Sequence, residues 1–162
     1  MPLIVATLQA ELVGIFDKPK GNPVPTPVMI DVAKAYLNFC SAGIDSGGSP
    51  FAAMPGSSAL GQALADVMSK TNASGALAAM DMAKAFDSCL QTFISTNQTT
   101  IVTAPGLPVL GSELVDLFSS PKPSAIIFAQ GYAKALNNYT LSAIVIGVIP
   151  DTPGIPFTGP IS

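Results

Sequence analysis

Asp31 with Lys34, and Asp81 with Lys84, are the pairs best spaced for chemistry, because residues three apart on a helix share one face. A lysine depressed by burial could act there as base or nucleophile. The same spacing makes an ordinary exposed ion pair worth roughly a few tenths of a kcal/mol. The third occurrence favours that plainer role, since Gly131 stands where Lys134 would need its acid. Glu11 with Glu113, and Asp66 with Asp116, could pair as carboxylates, but they read as the solvated face of a repeated helix. Ser57-Ser58 and Ser119-Ser120 have no histidine to activate them, and the chain has no arginine to clamp a phosphate or carboxylate. Asp45-Ser46-Gly47-Gly48-Ser49 is glycine-rich but lacks the lysine and flanking strand of a phosphate loop. Cys40, Cys89 and the dispersed carboxylates show neither zinc nor EF-hand spacing. The residues predict no enzyme and no catalytic, cofactor-binding or metal site, and no cofactor.

The elements that would hold these side chains repeat three times. Ala33-Lys34-Ala35-Tyr36, Ala83-Lys84-Ala85-Phe86 and Ala133-Lys134-Ala135-Leu136 stand fifty residues apart. An earlier block repeats in the same order, running from Leu8 to Phe16, Leu60 to Met68 and Leu110 to Phe118. Internal periods of 20 to 50 residues mark modular architecture. In the first block Leu8, Leu12, Ile15 and Phe16, with their counterparts, form one face of a short amphipathic helix. A second, longer helix carries Val28, Val32, Tyr36 and Phe39; then Ala78, Met82, Phe86 and Cys89; then Phe128, Tyr132, Leu136 and Tyr139. The Pro, Gly and small-polar segments between them are turns, with Thr26-Pro27 and Ser124 as expected N-caps.

These patterns predict one all-α domain of three tandem helical-hairpin repeats, residues 1–50, 51–100 and 101–150, closed as a pseudo-threefold bundle. Residues 151–162, with a Pro153-Gly154 step echoing Pro105-Gly106, are expected to form an extended Pro/Gly-rich C-terminal arm. Ile144 to Ile149, rich in β-branched residues, is left open between helix and strand.

Charged residues make up 10% of the 162 residues and hydrophobic ones 49%, so little charge is available to cover a free surface. Some apolar surface is therefore expected to meet a partner. Seven scattered lysines against ten acids disfavour nucleic acid, which is recognised by a basic patch. Met1 to Val5 does not read as a secretory signal, and Leu141 to Pro150 is too short to span a bilayer. Asn72, Asn97 and Asn138 head glycosylation triplets that matter only in a secreted eukaryotic protein. Cys40 and Cys89 fall at different repeat positions and read as small buried apolar residues.

The Asp31 to Tyr36 and Asp81 to Phe86 segments, with the Leu8 to Phe16 helix, a proline-containing break and an Ala-rich aromatic helix, resemble small Ala-rich helical virion structural proteins of tailed bacteriophages. The likeness covers about half of each repeat, and the threefold repetition departs from the single-unit form. It implies a non-enzymatic minor capsid, cement, neck or tail protein located in the virion, whose partners are other virion proteins or copies of itself. The alternative is a secreted or surface helical-bundle binding module or apolar-ligand carrier, with Phe, Met and Tyr lining a cavity between hairpins.

Overall fold

The computed structural model describes residues 3–18, 25–70, 74–150 and 153–162, with Pro25 described by its backbone alone. Six helices run in pairs: α1 (Val5–Phe16) and α2 (Pro25–Ser41), α3 (Ser57–Ser69) and α4 (Gly75–Leu90), α5 (Leu107–Ser119) and α6 (Ala125–Ser142). The apolar stripes form them. Leu8 and Leu12, Leu60 and Leu64, and Leu110 and Leu114 are all buried, as are Val32, Tyr36, Phe39, Met82, Phe86, Tyr132, Leu136 and Tyr139. Each helix packs on the next and α6 closes onto α1, so the six form a closed ring. The junctions between repeats (α2 with α3, α4 with α5, α6 with α1) are more extensive than those inside each hairpin.

The all-α expectation is overturned. Among the described residues five strands form two antiparallel sheets: β1 (Phe51–Ala53) with β2 (Ile94–Ser95), and β3 (Thr100–Thr103), β4 (Ile144–Ile149) and β5 (Ile155–Pro160) in that order. The physical reason is backbone satisfaction: the chain enters and leaves each helical pair at one end of the ring, and those crossing segments must bond to something. Phe51 pairs with Ser95, and Ile101 with Val145, so the second and third repeats each tie their own entry strand to their own exit strand. The first repeat has its exit residue Ile44 tied to the C-terminal residue instead, through Ile44 N to Ser162 O at 2.8 Å and Ser162 N to Ile44 O at 3.0 Å. Ile161 is buried beside Gly43. Ser162 thus bonds the exit residue of the first repeat through its backbone.

The extended-arm expectation is corrected by the same finding. β5 pairs with β4 in continuous register from Ile144 with Pro160 to Ile149 with Ile155. In the first two repeats a tight turn follows the exit residue, with positive φ at Gly48 (85°) and Gln98 (52°). The third repeat carries Val148 at that position, and a β-branched residue strongly resists positive φ. The chain therefore runs on as β4 and turns back later. Pro156 and Pro160 lie on the outer strand, where a missing N–H costs least.

Ser74 and Ser124 cap α4 and α6, each accepting a 3.2 Å bond from the N–H three residues on, Leu77 and Ile127. Thr26 is not a cap: α2 begins at Pro25, and Thr26 and Pro27 lie in its first turn, where proline is tolerated.

Glycine sets how closely successive repeats approach. A Cβ on Gly61 would come within 2.9 Å of the Ile30 Cα, whereas on Gly111 it would meet only the flexible end of Met80. Gly14 in α1 faces open space. Gly61→Ala is therefore expected to lower stability by about 1–3 kcal/mol and Gly111→Ala by clearly less. Gly14→Ala is expected to raise stability by about 0.5–1 kcal/mol. Urea unfolding of the three variants checks this ranking.

Candidate functional site

The paired charges of the second helices are surface pairs. Lys34 Nζ lies 3.8 Å and Lys18 Nζ 3.6 Å from Asp31, Lys84 Nζ lies 3.3 Å from Asp81, and all of these side chains are well exposed. The structure does not bring them together with any other candidate. Glu11 and Glu113 do more than face solvent: each accepts from the following helix, from Asn38 Nδ2 at 3.1 Å and Asn138 Nδ2 at 3.2 Å. The second repeat has Ala63 and Ser88 at these two positions. This joint replacement was a signal available in the sequence, and reading the repeats pairwise would have found it. Asp66 accepts from Gln62 Nε2 at 2.7 Å, and Ser58 donates to the Pro55 carbonyl at 3.0 Å. Among the described residues no cluster of His, Cys, Asp and Glu could hold a metal ion, and no helix is long and apolar enough to cross a membrane.

The glycine-rich turn 45–49 encloses a carboxylate of its own. Asp45, 2% exposed, accepts from the Ser49 N–H at 2.8 Å and from Ser95 Oγ at 2.5 Å. Ser95 is the counterpart of Asp45 one repeat on, and Val145 the next. Corresponding positions thus meet across the ring at its strand end. Deeper in, the Tyr36 and Phe86 rings pack edge-on at 5.0 Å, and Phe86 packs on Tyr132 at 6.0 Å. The Tyr36 hydroxyl shares a 2.9 Å bond with Thr140 Oγ1, and the Tyr139 hydroxyl donates to Asp87 at 2.5 Å. Cys40 and Cys89 are buried free thiols. Burial pushes Cys89 up to about 12 and raises Cys40 as well. Burial likewise raises the phenols of Tyr36, Tyr132 and Tyr139.

The opposite, hairpin end of the ring holds the candidate site, an apolar cavity of about 310 Å³. Phe16, Met68 and Phe118, which occupy one repeat position at the ends of α1, α3 and α5, form its rim. Val28, Met29, Met82, Phe128 and Tyr132 from the second helices complete the wall. The aromatic side is rigid: Phe128 packs edge-on against Phe16 at 5.2 Å and Phe118 at 5.5 Å. The methionine side is flexible and polarizable. Among the described residues no charged side chain lines the cavity, and Tyr132 is the one lining residue with a hydroxyl or amide group. Its phenol stays neutral through the physiological range, so it is available as a donor. The described lining therefore offers an apolar wall with a single phenol.

Comparisons with protein-family models, with curated proteins and with solved structures found no match.

Two outcomes follow from the buried polar groups. Ser95→Ala leaves a buried Asp45 oxygen without its partner and is expected to cost about 1–3 kcal/mol in urea unfolding. The raised thiols and phenols stay protonated in the folded chain while their unfolded counterparts ionise, so their contribution is intact below pH 9 and is lost as pH rises. From the ordinary thiol value of 9.0, at pH 10 each cysteine alone is expected to remove more than about 1 kcal/mol. Unfolding midpoints at pH 8, 9 and 10 check the sign, and Cys89→Ala should flatten the slope.

Proposed function

We propose that this chain is a non-enzymatic structural component of a virus particle, a minor capsid, cement, neck or tail protein acting through protein–protein contacts. One observation carries the reading, the outer face of the β3-β4-β5 sheet. Val102, Ile146 and Val148 stand 57%, 45% and 50% exposed there, with Pro156 opposite Val148 and Thr158 opposite Ile146. None of the three strands contains a charged residue. Native sheets normally protect such surfaces with charge or cover, and an uncovered apolar face marks an interaction site. The partners are other virion proteins or copies of this chain. The absence of any constellation for chemistry among the described residues agrees with an assembly role.

Light scattering of the protein alone, and mixed with particles lacking it, tests this directly. Self-association or saturable particle binding is the expected result, and Val148→Lys should reduce it at least tenfold while leaving the unfolding midpoint unchanged. An inert monomer in both settings removes the reading. The axial cavity favours a second one, an apolar-ligand carrier, since its volume lies at the lower end of the roughly 300–1,000 Å³ common for ligand pockets.

A further inference from the structure

We propose that the axial cavity binds a small neutral molecule of about two fused rings that accepts one hydrogen bond from the Tyr132 hydroxyl. This rests on the carrier reading and names its ligand class.

Three observations carry it. The first is size: a cavity of about 150 Å³ with apolar walls holds one benzene ring, and this one is about 310 Å³. The second is charge. None of the described lining residues is charged, so a carboxylate or phosphate seated within the cavity would lose hydration without compensation from them, which favours a neutral guest.

The third is the Tyr132 hydroxyl itself. The chain has three tyrosines, all almost fully buried. Tyr36 is bonded to Thr140 and Tyr139 to Asp87, whereas Tyr132 has no hydrogen-bond partner among the described residues. Tyr132 lines the cavity, so its free hydroxyl can donate to an acceptor on a guest. The corresponding positions in the other repeats are Val32 and Met82, so packing alone does not require an oxygen there. The surrounding Phe16, Phe118 and Phe128 rings offer faces and edges to a flat guest, and Met68 and Met82 can adjust to it.

The test uses the full chain labelled with ¹³C at the methionine methyls, titrated with 2-acetylnaphthalene, 2-ethylnaphthalene and 2-naphthoate. Met29, Met68 and Met82 line the cavity and should shift, whereas Met54, buried in the core outside the cavity lining, should not. The ketone is expected to bind roughly three- to tenfold more tightly than the hydrocarbon, the range of one net hydrogen bond, and the carboxylate at least tenfold more weakly than the ketone. Tyr132→Phe removes only the hydroxyl, should not lower the unfolding midpoint, and should bring ketone and hydrocarbon to equal affinity. Equal affinities in the unsubstituted protein would overturn the assigned ligand class while leaving the carrier reading in place. No shift at the three cavity methionines with any compound would overturn both.

Discussion

Closure of the helical ring is the constraint on which everything else rests. Every first helix buries two leucines completely, and every second helix buries a stripe of larger side chains, yet no hairpin alone has enough surface to cover both. The junctions between repeats supply what the hairpins lack, and α6 on α1 is the junction that completes the circuit. At α2 with α3 the close approach depends on Gly61 lying against Ile30. At α6 with α1 the matching position is Gln9, and the groove it helps to line is about 540 Å³ against about 250 Å³ at α2 with α3. The final junction is the more open one, and the Ser162 to Ile44 backbone pair ties the same closure at the strand end.

Position relative to the centre of the ring explains which residues repeat and which differ. Lys34, Lys84 and Lys134 are identical because each lies on the outer surface, away from its two counterparts. Near the centre the three counterparts converge. Three copies of Asp45 there would bring like charges together without water, and three copies of Tyr36 would compete for one volume. The chain instead has Asp45, Ser95 and Val145 at one level and Tyr36, Phe86 and Leu136 at another. Donor meets acceptor, and large meets smaller. The cavity arises where this complementarity stops: at the hairpin end Phe16, Met68 and Phe118 stand around a space that no side chain of the described residues fills.

The helices were legible because their stripes recur at the α-helical period and run for more than two turns. The strands were not. β1, β2 and β3 have two to four residues each, too few to display an alternation, and their pairing joins residues forty-four apart, Phe51 with Ser95 and Ile101 with Val145. Ile144 to Ile149 had strand composition, but its partner in β5 contains two prolines and reads as an arm until the register is seen. Of the candidate site, every lining residue except Met29 was visible as a member of an apolar stripe. That Phe16, Met68 and Phe118 would rim a void, while Leu12, Leu64 and Leu114 one turn earlier are sealed, was not visible. The Asp45 to Ser95 bond could likewise be seen only once two repeats were laid across the ring.

By itself the sequence determined the threefold repetition, the helices and the faces they bury, because helical period is a local property of the chain. Only the tertiary structure decided that the crossing segments pair as sheets, that Ser162 bonds Ile44, and that a cavity lies between the described residues at the hairpin end. Each of those depends on distances between residues tens to more than a hundred positions apart, which are set by how the ring closes and not by any stretch of sequence.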